Sequence, residues 1–231
     1  MVNFGMQTVG IPTNRRSVRS FLGVRLFARS QERWEAVAAR AMALASQGRA
    51  VLIGTKSVLA SEELSAELHR LGKSHRVLNA LHAQLESEII KGAGQPGCVT
   101  VATNMAGRGA DIELHPAVRR AGGLHVILTE FHETPRVDRQ LYGRAGRQGD
   151  PGSCEAMVSL EDELFRQFRP RLARWLMRCY LNRKELPPIW NRLLQGGAQA
   201  RAERKNAGVR HGTLVNDIAV RKAMAFSGAK K

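Results

Sequence analysis

Cysteine is scarce in this chain: Cys98, Cys154 and Cys179 are the only three in 231 residues. They are too few and too scattered for a disulfide framework or a zinc knuckle, which points to a reducing compartment. No apolar run approaches the ~20 residues needed to span a bilayer. Aromatic residues make up 5%, and Tyr142 is the sole tyrosine ahead of the C-terminal tail, so no platform for stacking bases is visible. The seven histidines contain no pair at metal-ligand spacing. Acidic residues are also short, 20 against 36 Lys and Arg, for a net charge of +16. That excess is unevenly spread. Residues 1–162 hold 20 basic and 16 acidic side chains, whereas residues 163–231 hold 16 and 4. The last 69 positions thus carry +12 and are the part suited to an anionic surface or partner.

What is present is a hydrophobic content of 43%, ordinary for a folded domain. Its periodicity alternates between strand and helix. Trp34, Val37, Ala38, Ala41 and Leu44 recur at helical spacing within 31–47, closed by Gly48. The apolar run 49–54 predicts a buried strand, and Ser57 can cap a second helix closed by Gly72. Further strands are expected at 75–79, 98–103, 124–129 and 153–160, with helices at 84–91 and 135–145. This order predicts an α/β fold with a parallel sheet and helices on both faces. From Glu161 onward the pattern becomes helical only, with breaks expected at Pro187-Pro188 and at Gly196-Gly197. The expected organisation is an extended N-terminal linker over 1–30, an α/β domain over 31–162, and a basic helical extension over 163–231.

Two stretches carry candidate chemistry. Gln140-Leu-Tyr-Gly-Arg-Ala-Gly-Arg-Gln-Gly-Asp150 places Arg144 and Arg147 among three glycines directly after a helix. Two arginines three residues apart project in nearly the same direction, and their planar forks suit polyphosphate. A basic helix C-terminus with a glycine cap accounts for the same residues. The second stretch, Thr103-Asn-Met-Ala-Gly-Arg-Gly-Ala-Asp111, flanks Arg108 with Gly107 and Gly109 and ends on Asp111. Its glycines leave backbone amides free to approach an anion, and its carboxylate can receive sugar hydroxyls; a bare turn with a capping Asp is the plainer account. In parallel sheets ligands gather beyond the carboxyl ends of the strands, where this stretch is expected.

Together the two stretches resemble motifs V and VI of superfamily 2 helicase-type motors. More narrowly, Ala102–Ile112, Ala121-Gly-Gly-Leu-His125, Thr129-Glu130, His132-Glu133 and Gly143–Asp150 resemble SecA, the ATPase that drives preproteins through the bacterial secretion channel. Ile11-Pro-Thr-Asn-Arg15, Val51–Thr55, Val77–Ala80 and Ser159–Asp162 match the same family in order, and 198–227 resembles the start of its long scaffold helix. The first 31 residues, with five arginines and no acid, have the composition of a transit peptide, but they contain this family counterpart.

The resemblance implies a RecA-like second nucleotide-binding domain. SecA clamps ATP with Mg²⁺ between two such domains, the first supplying the phosphate loop and the metal-binding carboxylate. By position, Asp111 would contact the ribose, Arg108 would couple nucleotide to the domain interface with Gly107 and Gly109 beside it at the cofactor, Arg144 and Arg147 would reach the phosphates, and Gln140 would orient their helix in the cleft. The implied partners are a first nucleotide-binding domain in cis or in trans, a SecYEG-type channel, a preprotein and an anionic membrane surface, at a cytoplasmic site peripheral to the inner membrane. Nucleic acid is the less favoured partner.

The chain departs from the family in several ways. It contains no Gly-x-x-x-x-Gly-Lys-Ser/Thr loop. Phe131 and Tyr142 stand where arginines are usual, which is expected to remove positive charge near the cleft. Without the other half of the site the chain is expected not to hydrolyse ATP by itself, because an arginine finger assists only a triphosphate held by other groups.

Overall fold

The computed structural model describes residues 9–11, 14–78, 86–103, 111–180 and 183–227. Among the described residues seven strands form one sheet: β1 (Arg19–Phe27), β2 (Val51–Thr55), β3 (Arg76–Leu78), β4 (Val99–Thr103), β5 (Leu124–Leu128), β6 (Gly152–Ser159) and β7 (Glu185–Leu186). Their spatial order is β3-β4-β2-β5-β6-β1-β7, and every pairing is parallel except β1 with β7. The helices are α1 (Ser30–Ser46), α2 (Val58–Arg70), α3 (Glu86–Gly92), α4 (Pro116–Arg120), α5 (Pro135–Tyr142), α6 (Glu163–Phe168), α7 (Pro170–Cys179) and α8 (Ile189–Ser227).

The central strands are buried on both faces, which is why β2, β4 and β5 read as continuous apolar runs. Alternation sorts their side chains. Val51, Ile53, Val99, Val101 and Ile127 meet α1 and α2 through Trp34, Val37, Leu64 and Leu68. Leu52, Ala102, Leu124, Val126 and Cys154 face the opposite way, toward Ile90, Val118 and Leu141. At the β6–β1 end of that second face, Leu26, Ala156 and Val158 pack under α6, α7 and the first turns of α8. Ser57 Oγ accepts the Ala60 amide at 3.1 Å and starts α2, while Gly48 and Gly72 end α1 and α2 with left-handed backbones.

Three features differ from the sequence expectation. Residues 19–27 are a strand that pairs with β6 along most of its length, so the stretch expected as a linker supplies the sheet with a member. The 163–231 stretch is not helical throughout, because Glu185 and Leu186 pair with Phe27 and Leu26. Finally, α8 runs unbroken through Gly196 and Gly197. The second glycine has a packing role: a Cβ there would lie 1.7 Å from Arg169 Nη2, so its bare face admits that guanidinium.

Candidate functional site

α5 descends from the carboxyl end of β5 along the face shared with α4. Pro135 sits in its first turn, where a missing N–H costs nothing. Leu141 packs directly against Gly54 of β2, where an added Cβ would stand 2.3 Å from its Cδ2. The chain then winds on past Tyr142, with Arg144 N donating to Leu141 O at 3.0 Å and Ala145 N to Tyr142 O at 3.1 Å. Gly146, Gln148 and Gly149 all adopt positive φ, and Gln148 is the one non-glycine to do so among the described residues. These reversals return the chain to Gly152, the first residue of β6.

The arginine turn therefore lies over the amino ends of β6 and β1, opposite the strand ends where ligand groups were expected. The reason is topological: a helix leaving the carboxyl edge of a strand and lying along the sheet ends at the amino edge. The first residue of β1 braces the turn. Arg19 donates to the carbonyl of Tyr142, a C-terminal acceptor of α5, at 3.2 Å and to that of Ala145, just past the helix, at 3.3 Å. Arg15 donates to Gln148 O at 3.2 Å.

Arg147 and Asp111, 36 positions apart, meet in front of this turn. Arg147 Nη1 lies 2.8 Å from Asp111 Oδ1, and its Nε donates to Gly143 O at 3.0 Å. Gln148 Nε2 donates to Asp111 Oδ2 at 3.4 Å, and Arg119 pairs with Asp150 at 3.2 Å. The Arg147 and Asp111 side chains are 36% and 46% exposed, so their pair contributes about 0–1 kcal/mol and is readily exchanged for other partners. Arg144 is half-buried in the same turn and Gln140 is exposed on α5. Gly107, Arg108 and Gly109 lie outside the described residues. The convergence supplies cationic forks and one carboxylate, a set that fits the phosphates and sugar hydroxyls of a nucleotide. Among the described residues no three acidic, histidine or cysteine side chains converge as a metal site would need.

Phe131 and Tyr142 correct the expectation of charge lost from a cleft. Phe131 is 1% exposed and stacks edge-on against Phe165, 6.4 Å between centroids, in the core beneath α6 to α8. Tyr142 meets Phe21 edge-on at 5.5 Å. Its buried hydroxyl finds no hydrogen-bond partner among the described residues, and burial raises its pKa. Both positions face the seam between sheet and helical extension.

Two further polar groups are structural. At the amino edge, on the α1 side, His125 is fully buried with Nδ1 2.7 Å from Ser153 Oγ and Nε2 2.9 Å from Glu155 Oε1. Burial lowers its pKa. Burial alone would raise that of Glu155, but hydrogen bonds from His125 and Arg40 overcome it and hold the carboxyl at about 2. At the carboxyl edge Asp162 pairs with Arg33, which also donates to Thr129 O at 3.0 Å, and Lys56 bridges Glu130 and Glu163. Burial raises the Asp162 carboxyl while Arg33 opposes the shift.

Sequence reasoning missed Arg15, Arg19 and Gln148 as supports of the turn. It also missed Asp138 on α5, which accepts from His132 and from Gln199 of α8. Arg15 belongs to a stretch that had already been singled out; nothing in the spacing links Asp138 to Gln199.

Comparison with known proteins gives consistent results. The model of the SecA P-loop domain family matches residues 18–117 and 113–184. Protein translocase subunit SecA 2 of Nitrosospira multiformis is 49% identical over 225 residues, 97% of this chain and 34% of that protein. Protein translocase subunit SecA of Nitratidesulfovibrio vulgaris is 46% identical over 217 residues, 93% of this chain and 26% of that one. The chain thus spans about a third or less of the length of the curated relatives it matches. Among solved structures, the Escherichia coli DEAD-box protein SrmB aligns with a TM-score of 0.51 at 20% identity, over 65% of this chain and 82% of that one. The yeast DEAD-box splicing factor Prp28 gives 0.51 at 15% identity, over 75% and 35%. At such identities these two establish the fold alone, a RecA-like parallel sheet flanked by helices.

Proposed function

Because the chain belongs to the SecA P-loop domain family, we propose that it is the second motor domain of a SecA-like ATPase of preprotein translocation, and that its arginine turn completes an ATP site built on a first domain. The observation that carries this reading is the meeting of Asp111 with Arg147, which joins the two stretches whose spacing resembles motifs V and VI. In this arrangement the carboxylate neutralises the guanidinium; nucleotide would replace that contact, the ribose taking Asp111 and the phosphates taking Arg147 and Arg144. Gly107, Arg108 and Gly109 would lie along the same nucleotide, and Gln140, exposed on α5, would meet the first domain. Mg²⁺ would be held by that first domain together with the phosphates. The assay is ATP turnover by the purified chain, alone and with a first domain supplied. We expect none alone and turnover dependent on Arg144 and Arg147 in the pair. Robust Mg²⁺-dependent turnover by the isolated chain, abolished by Arg144→Ala, would refute the half-site reading.

The proposed partners are the first domain, a SecYEG-type channel, a preprotein and an anionic membrane surface. For the last, one corner of the helical extension is suited. Trp175 is 50% exposed and lies edge-on to Trp190, beside exposed Ile189 and Leu193. Arg171, Arg174, Arg178 and Arg192 are exposed on the same two helices. Amphipathic aromatic rings beside arginines suit a headgroup layer. Binding to anionic vesicles, compared with binding to single-stranded nucleic acid at equal ionic strength, tests this against a nucleic-acid module; tighter binding to the strand would reverse the preference.

A further inference from the structure

α5 is eight residues long, about 12 Å, and carries the arginine turn at its C-terminus. Its first half is fastened by a carboxylate. Asp138 is 3% exposed and accepts from the His132 amide at 3.0 Å, from His132 Nδ1 at 2.6 Å and from Gln199 Nε2 at 2.7 Å. Two of these belong to the loop that precedes α5. The third comes from α8, 61 positions away, and the Gln199 amide is itself 5% exposed. The same Nε2 also donates to His132 O at 3.0 Å, so one side chain ties the β5–α5 connection to α5. Seven residues further along α8, on the same side of the helix, Asn206 Nδ2 donates to Glu133 Oε2 at 2.8 Å.

We propose that Gln199 is a positioning residue for Arg144 and Arg147, acting through Asp138, so that α8 governs where the arginine turn stands. The physical ground is that a buried carboxylate deprived of a donor must draw in water or move. Asp138 is held from the loop before α5 and from α8, so such motion bears on α5, whose position against the sheet is set by Leu141 resting on Gly54. A two-turn helix is too short to absorb such a shift by bending, so its far end follows. Beyond Ala202 the described side chains of α8 are mostly exposed, and a load placed there reaches Gln199 through an unbroken helix. The role assigned to the arginines rests on the function proposed above; the mechanical link to α5 does not.

The experiment has two arms. In the chain itself, Gln199→Met keeps the length of the side chain and removes its donors. Hydrogen exchange at the amides of 139–147 should quicken at least about tenfold, while β4 and α2 keep their wild-type rates. The milder Asn206→Ala should quicken the same amides about threefold, and it serves if the first variant does not fold. Unchanged rates at 139–147, or an equal rise throughout the chain, overturn the proposal. In the second arm this segment replaces the aligned part of the Nitrosospira multiformis relative, and ATP turnover is measured. Gln199→Met should lower kcat about tenfold with KM for ATP within twofold of wild type, the signature of displaced transition-state groups. If Arg147→Ala leaves turnover unchanged, the arginine reading fails and the exchange result still stands. If Arg147→Ala abolishes turnover but Gln199→Met spares kcat, the positioning role fails.

Discussion

Gly146→Ala perturbs the point where the arginine turn rests on β1, and the structure fixes both parts of its cost. Gly146 has φ +66, and an L-residue in that conformation costs about 1–2 kcal/mol. The added Cβ would also lie 2.7 Å from Arg19 Cβ and 3.2 Å from Arg19 Cα. Those atoms belong to a strand hydrogen-bonded to β6, so they cannot rotate aside as a side-chain tip would. Overpacking of this kind costs about 1–3 kcal/mol, for a total of about 2–5 kcal/mol. Gly72→Ala isolates the first part, since its φ of +70 is similar and no atom lies within 4 Å of the new Cβ. Urea unfolding of both variants, followed by tryptophan fluorescence, should show Gly146→Ala less stable than Gly72→Ala by about 1–3 kcal/mol, the overpacking share. Hydrogen exchange should also quicken at 145–149 only in the former. Equal losses in the two variants would mean that Arg19 is not a wall against which the turn is set, and the account of the site would fail with it.

Acid should weaken the fold through the His125–Glu155 cluster. The unfolded chain protonates Glu155 near its ordinary 4.5 and the folded chain only near 2, so its contribution is whole above about pH 4.5 and fades as pH falls toward 2, up to about 3 kcal/mol. The lowered pKa of buried His125 acts in the same direction, costing stability as pH falls below its ordinary 6.5. Urea midpoints from pH 7 to pH 3 should therefore decline, and less steeply in Glu155→Gln. Tyr142→Phe removes a buried hydroxyl with no partner among the described residues and should be neutral or stabilising by up to about 1 kcal/mol in the same assay. Phe131→Arg, which restores the residue usual in the family, should cost about 3 kcal/mol or more because it buries a guanidinium in an apolar core. Asp111→Ala breaks only an exposed pair, so stability should change by less than about 1 kcal/mol while nucleotide affinity of the assembled site falls.

The sequence made the sheet legible because its strands are buried on both faces and its helices end in recognisable ways. Val51–Thr55 and Leu124–Leu128 read as apolar runs, and Ser57, Gly48 and Gly72 mark helix ends by local chemistry. β1 escaped notice because its first half is exposed on the sheet's edge side and shows no clear alternation, while its pairing with β6 joins residues more than 130 positions apart. Gly196-Gly197 suggested a break because a helix interior disfavours glycine; the reason for the second one, Arg169, comes from outside the helix. At the candidate site Arg144, Arg147 and Asp111 stood out by residue type and spacing. Their supports, Arg19 and the Asp138–Gln199 contact, depend on distant segments meeting, and local pattern carries no record of that.

α8 is 39 residues long, about 58 Å, yet its buried side chains among those described end at Ala202. Of the described side chains from Glu203 onward all but Asn206 are exposed. By those side chains the helix is a rod clamped over its first third, about 20 Å, with Asn206 tied to Glu133 one turn beyond and about 37 Å of helix axis running past Ala202. Tilting such a rod by about 5° about its clamp carries the tip some 3 Å, while Gln199, inside the clamp, moves a few tenths of an ångström. Leverage runs the other way as well. A modest force at the tip arrives at Asp138 multiplied severalfold, over a displacement comparable to the making or loss of one hydrogen bond.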